Sequence, residues 1–195
     1  MEAQFQIKKL GKLSHFLGIE VEYNKEGVFL SQKDYALQIV KDTGMALAKA
    51  MTTPLPYKPI EFDDTESDIG QYQRLIGKLI YLTHTRPDIV YAVHYLCRFL
   101  QAPQEIHKQT AMHLVRYIKG TINCGMQYVK SGKNNDLSIY CDASYACTTD
   151  RKSVSRYVVT LNGRAVTWAS RKQKVVSRSS IEAEYRALAD GICEG

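Results

Sequence analysis

Ser179-Ser180-Ile181-Glu182-Ala183-Glu184-Tyr185 opens the last helix of this sequence, and Ile139-Tyr140-Cys141-Asp142-Ala143-Ser144 upstream of it reads as a strand ending in an acid. Strands at 126–129, 137–142, 154–161 and 164–169, followed by a helix from about Ser180, make a separate α+β or α/β unit. Asp142 closes an apolar strand, where a carboxylate is costly unless it is solvated, paired or bound to a metal. A strand-end aspartate that starts a turn fits the same pattern. In the helix, Ser179 and Glu182 have capping-box spacing, which gives Glu182 a structural job. At about 100° per residue, Ile181, Tyr185, Leu188 and Ile192 share one stripe, predicted to pack on the sheet. Glu184 lies on the edge of that stripe, whereas Glu182, Arg186 and Asp190 lie on the far side. Glu184 opposite Asp142 is thus a candidate divalent-metal site, with an ordinary boundary glutamate as the alternative.

Moving toward the N-terminus, the middle third is helical. Tyr72, Leu75, Ile76, Leu79, Ile80 and Leu82 recur at helical spacing, and a second helix follows Pro87 with Ile89, Val90, Val93, Leu96 and Cys97 as its apolar set. A third runs from about Ile106 to Ile118 and closes at Gly120. Around them stand Arg74, Lys78, Arg86, Arg98, Lys108, Arg116 and Lys119. These bases read either as the solvated face of a small bundle or as a surface that grips duplex phosphates. Tyr72, Tyr81, Tyr91 and Tyr95 have the spacing of core residues rather than of base-stacking platforms. The first third holds a strand over 16–23, a turn at 24–27, a return strand at 28–30 and a helix to about Thr43. Ser31 and Asp34 resemble a capping box at its start, and Gly44 is its stop. Residues 45–70, with Pro54, Pro56, Pro59 and an acidic run from Glu61 to Asp68, are a loop or linker.

The composition is globular: 45% of the 195 residues are hydrophobic and 24% charged, which argues against disorder along the whole chain. Lys and Arg number 26 against 20 for Asp and Glu, and this +6 balance favours a polyanionic partner. The five cysteines are odd in number and show no CxxC spacing, so neither a zinc site nor a disulfide framework is expected, and a reducing compartment is. No segment reaches the roughly 18 apolar residues that span a bilayer. Met1-Glu2-Ala3-Gln4-Phe5 starts no signal pattern. The expectation is an intracellular protein, cytoplasmic or nuclear, with no membrane partner.

Three further stretches carry a family resemblance. Lys9-Leu10-Gly11-Lys12-Leu13-Ser14-His15-Phe16-Leu17-Gly18-Ile19-Glu20-Val21 resembles the segment just after the catalytic loop of copia-type reverse transcriptases. Tyr72-Gln73-Arg74-Leu75-Ile76-Gly77-Lys78-Leu79-Ile80-Tyr81-Leu82-Thr83, with Thr85-Arg86-Pro87-Asp88-Ile89, is similar to that family's thumb region. Val166-Thr167-Trp168, Arg171-Lys172-Gln173 and the Ser179–Tyr185 run resemble its RNase H domain. The resemblance implies an α+β palm remnant (1–70, with its linker), an α-helical thumb or connection region (71–124) and a truncated RNase H-like α/β unit (125–195). It further implies a copia-type retrotransposon pol polyprotein whose RNase H cuts the RNA strand of an RNA–DNA hybrid, with acids binding two Mg²⁺ ions that activate a water and stabilise the leaving oxygen.

Mapped on this chain, the catalytic and metal acids are Asp142 and Glu184; the third aspartate belongs to a strand after Gly195, and Asp190 sits on the wrong helix face to replace it. The Tyr-x-Asp-Asp polymerase loop is expected before Lys9. The expected partners are an RNA–DNA hybrid or other duplex, bound through Arg74, Lys78, Arg86, Arg116 and Lys119, and the rest of the pol polyprotein. The family tends to have glycine where Cys147 and Arg156 stand, and two arginines then Ser-Thr where Arg151-Lys152-Ser153-Val154 stands. A side chain replacing glycine is strained where φ is positive. The reading is a fragment descended from a reverse transcriptase/RNase H enzyme and inactive as this chain. The alternatives are a non-catalytic nucleic-acid-binding module using the basic bundle, or a pseudogene product without function.

Overall fold

The structure, a computed structural model, describes residues 11–57, 65–130 and 136–195. Among them are two antiparallel sheets and five α-helices in an α+β arrangement. No helix of the described residues is long and apolar enough to cross a membrane.

The first sheet has the order β1 (His15–Phe16), β2 (Ile19–Tyr23), β3 (Gly27–Ser31) and β4 (Met126–Val129). The single strand predicted over 16–23 is two. Leu17 (φ 48°) and Gly18 (φ 72°) turn the chain between β1 and β2, the paired positive φ of a two-residue hairpin turn. Asn24 closes the next turn, its Oδ1 accepting from the backbone of Glu26 and Gly27. Gly27 is required by proximity: a Cβ there would lie 2.0 Å from the Tyr128 carbonyl oxygen of β4. β4 pairs with β3 throughout its length, so the change of sheet falls between Val129 and Leu137, a correction to the change at Gly125 expected from the sequence.

Helix α1 (Lys33–Asp42) does start after β3, but not on the expected Ser31/Asp34 box. Glu20 of β2 caps it instead, accepting from the Asp34 backbone N–H at 2.8 Å and from the Ser31 hydroxyl at 3.2 Å. Gly44, at φ 71°, ends it as predicted. Helices α2 (Ile69–Leu82), α3 (Val90–Cys97) and α4 (Glu105–Gly120) build the main core with α1. Tyr72, Ile76, Leu79, Val93, Leu96, Leu114 and Ile118 are almost wholly buried, as the 3.6-residue periodicity required. Tyr72 also satisfies its hydroxyl on the Leu96 carbonyl at 2.8 Å.

Arg86, in the turn between α2 and α3, is only 2% exposed. It holds Asp88 by two hydrogen bonds (2.9 and 2.7 Å), and donates to the Thr121 carbonyl (3.0 Å) and hydroxyl (2.7 Å) at the end of α4. Burial by itself would lower the guanidinium; Asp88 outweighs that and holds it above its ordinary value. Burial pushes the Asp88 carboxyl up, and Arg86, with the Tyr117 hydroxyl, brings it below its ordinary value.

The second sheet runs β5 (Leu137–Ser144), β6 (Val154–Leu161), β7 (Arg164–Lys172), with β6 in the middle. Asn162 and Gly163, both at positive φ, make the β6–β7 hairpin. Helix α5 (Ser180–Glu194) covers one face, and α3 lies on the other, where Trp168 donates to the Thr83 carbonyl and His94 meets the Ser170 carbonyl. The buried face of α5 is Ala183, Ala187 and Gly191, not the predicted Ile181, Tyr185, Leu188 and Ile192, which are 43–69% exposed. The reason is approach distance. A Cβ on Gly191 would stand 2.6 Å from Cys141 Sγ and 3.0 Å from Ile139 Cγ2, so this helix sits too close to the sheet for large side chains.

Two stability outcomes follow from these contacts. Gly191→Ala should destabilise by about 1–3 kcal/mol through overpacking, despite a gain of about 1 kcal/mol in helix propensity, read as a lower urea midpoint at constant slope. Asp88→Ala should cost about 3 kcal/mol, because it leaves the buried Arg86 guanidinium without its counter-ion. Since the Asp88 carboxyl titrates lower in the folded state, its contribution is complete above the unfolded value of about 4 and fades as pH falls below that. Urea midpoints that are equal for wild type and Asp88→Ala at pH 7 would refute the role given to the pair.

Candidate functional site

Side chains alternate along β5, so Ile139 and Cys141 point to α5 and Asp142 points to the α3 side. Directly across the ladder from Asp142 stands Arg156. Its Nη1 donates to Asp142 Oδ2 at 2.8 Å, its Nη2 donates to Ser144 Oγ at 2.8 Å, and its guanidinium lies 4.5 Å from the ring centre of Tyr91 on α3. The strand does not end at Asp142 as expected but continues to Ser144, and the carboxylate is kept by pairing and partial exposure to solvent. The strain expected at Cys147 and Arg156 is absent, for neither has a positive φ; the positive φ values nearby belong to Ala146 and Arg151.

Glu184 reaches no such partner. It is exposed, and among the described residues its carboxylate makes no hydrogen bond or ion pair. With Ala183, Ala187 and Gly191 buried, Glu184 and Asp190 flank the packed stripe on its two sides. Both act on Cys141, whose thiol is raised first by burial and then by the charges of Asp190 and Glu184. The helix-face distinction that favoured Glu184 over Asp190 therefore disappears. Glu182 has its expected structural role: Ser179 Oγ accepts from its backbone N–H, and its own carboxylate accepts from the Arg178 backbone and from Arg186. Those contacts, the Arg178 backbone first, hold its carboxyl below the ordinary value.

Mg²⁺ prefers an octahedral shell of oxygen ligands and carboxylate charge. Asp142, which the resemblance assigns to the metal, carries a guanidinium on its side chain, and Glu184 projects from the helix that covers the other face of the sheet. Among the described residues no group of three or more His, Cys, Asp or Glu is placed to hold a metal ion. As arranged, these acids do not fit a two-metal site.

The five bases proposed for nucleic acid divide into two sets. Arg86 is buried in its bonds to Asp88 and Thr121, so it offers nothing to a phosphate. Arg116 donates to the Lys49 carbonyl, and Lys119 to those of Ala46 and Ala48, tying the segment after α1 onto α4. Arg74 and Lys78 instead line a cleft of about 410 Å³ between α1, α2 and α4, joined there by Lys108. Lys78 is paired with Asp42 at 2.5 Å and Lys108 approaches Glu105 at 3.8 Å, while Arg74 is exposed and has no ion-pair partner among the described residues.

Two residues outside the sequence-derived set organise the site. Gln173 is buried, donating to Ser155 Oγ and the Ala183 carbonyl and accepting from Ser177, which fixes the loop before α5. Its signal was its place in the Arg171-Lys172-Gln173 motif. Tyr91, grouped with core aromatics by its spacing, is 39% exposed and carries Arg156 on its ring.

Comparison with known proteins gives the lineage. Residues 1–57 match the family model described as reverse transcriptase (RNA-dependent DNA polymerase). Over 97% of its length the chain is 39% identical to an uncharacterized mitochondrial protein of Arabidopsis thaliana, of which it covers 80%. It is equally 39% identical to the retrovirus-related Pol polyprotein from transposon RE1 of the same plant, and 32% identical to that from transposon TNT 1-94 of Nicotiana tabacum. It spans only 13% and 15% of those two polyproteins. No solved structure matches the chain. Sequence motifs in order along the chain and relatives matched over nearly all of it agree: the chain belongs to the copia-type retrotransposon pol polyprotein family.

Proposed function

We propose that this chain is the palm tail and helical thumb of a copia-type reverse transcriptase followed by the first half of an RNase H-like unit, and that it holds nucleic-acid duplexes, RNA–DNA hybrids foremost, without cutting them. The observation that carries the binding half is the cleft between α1, α2 and α4. Arg74, Lys78 and Lys108 line it against one acid, Asp42, so its lining keeps a net positive charge. Phosphate oxygens are the ligands such a cleft suits, and backbone contacts of this kind position a duplex without reading its sequence. Arg86, Arg116 and Lys119 serve the bundle that shapes the cleft.

Cleavage of the RNA strand of a hybrid by two-metal chemistry is the ancestral activity this reading assigns to the whole polyprotein. The non-cutting half of the proposal is supported by the Asp142–Arg156 pair and by the separation of Asp142 from Glu184 on different layers.

Hybrid affinity measured by fluorescence anisotropy should fall steeply between low and physiological salt. Arg74→Ala should reduce the slope of log affinity against log salt by about 1, the loss of one phosphate contact, whereas Lys119→Ala should leave it unchanged. A slope near zero in the wild type would remove the phosphate-gripping cleft. In the same samples, a labelled RNA–DNA hybrid in Mg²⁺ buffer should remain intact. Robust cleavage that disappears in Asp142→Asn would overturn the non-cutting reading.

A further inference from the structure

We propose that Arg156 takes the place of the metal at Asp142, converting a metal-ligand aspartate into an anchor that docks the second sheet on α3. The inference rests on the reading of Asp142 as the family's first metal acid, and adds to it which side chain displaces the ion and what the aspartate now does.

Three contacts hold the guanidinium where a cation would sit: Asp142 Oδ2 at 2.8 Å, Ser144 Oγ at 2.8 Å and the Tyr91 ring at 4.5 Å. The register places Arg156 directly opposite Asp142 on β6, so no rotamer of a neighbouring residue is needed to bring the charges together. A guanidinium has five N–H donors and no acceptor. It satisfies a carboxylate as a divalent ion would, but contributes no ligand to one. Asp142 is itself 61% exposed at its side chain, so burial does not keep ions away from it. The positive charge does. An ion at Oδ1 would still face Arg156, whose guanidinium is held by Ser144 and Tyr91 as well as by Asp142.

The same contacts give the pair a structural use. Asp142 and Ser144 belong to β5, Arg156 to β6 and Tyr91 to α3, so the guanidinium links two strands to the helical bundle at one point. Trp168 to Thr83 and His94 to Ser170 continue that seam along β7.

The test is Mn²⁺ titration of the full chain, followed by paramagnetic broadening of the backbone amides of residues 141–143. Wild type should show no saturable broadening there at low-millimolar Mn²⁺. Arg156→Gln, which keeps bulk and hydrogen bonding but drops the charge, should bind about thirtyfold more tightly. That factor corresponds to removing one unit charge about 4 Å from a dication in a water-like dielectric. The gain should vanish in Arg156→Gln/Asp142→Asn. Arg156→Ala should show the same gain, and amide spectra of all variants report whether the fold is kept. Equal broadening in wild type and Arg156→Gln overturns the displacement by Arg156 and leaves Asp142 standing as a metal ligand. No broadening in either variant overturns both.

Discussion

A single buried charge organises the helical part of this protein. Arg86 can be 2% exposed only because Asp88 neutralises it and Thr121 receives two more of its donors. The cost of removing a guanidinium from water is offset only when its charge and donors find partners, and this geometry meets four of the five donors with a two-point carboxylate contact and two oxygens of one residue. Its consequence is positional. The turn before α3 is fastened to the end of α4, and the chain leaving α4 is delivered to β3, where Met126–Val129 completes the first sheet. A strand from the middle of the sequence thus closes a sheet begun at its start.

The second sheet depends on α3 in a different way. Its two faces are covered by unlike surfaces: α5 approaches through Ala183, Ala187 and Gly191, and α3 with the end of α2 through polar and aromatic contacts. Close approach on the first face excludes large side chains, so Ile181, Tyr185, Leu188 and Ile192 remain outward. The polar seam on the second face draws Arg156 to Tyr91 and, with it, Asp142. The acids that resemblance assigns to one site therefore end in different neighbourhoods, one paired between strands and one on the open flank of a helix.

The helical bundle and the loop before α5 are held by interactions that do not involve Asp142 or Glu184. The hydrophobic periodicities of the bundle are intact, and the buried polar node at Gln173 is fully satisfied. Asp142 and Arg156 face each other at one ladder position of the second sheet. A long base opposite an exposed acid costs the sheet little, because exposed cross-strand pairs of opposite charge are tolerated or mildly favourable.

Much was legible in the residues alone. The three helices of the middle third, the third expected at about 106–118 and found at 105–120, the strands expected at 154–161 and 164–169 and found at 154–161 and 164–172, Gly44 as a helix stop and the Ser179–Glu182 cap follow from local periodicity and punctuation, which need only neighbours in sequence. The family followed from motifs in order. Other features were decided by residues distant along the chain. Glu20, eleven residues before Ser31, caps α1. The Leu17-Gly18 turn splits what reads as one strand. Small residues rather than the larger apolar stripe face the second sheet, because a hydrophobic pattern weights size and cannot register how near a partner surface will come. Arg86 looked like a surface base until Thr121 was beside it, and Asp142 had no visible partner until Arg156 was across from it. A sequence states which charges a chain carries. Only the tertiary structure pairs them, because partner choice depends on which distant segments the core brings together.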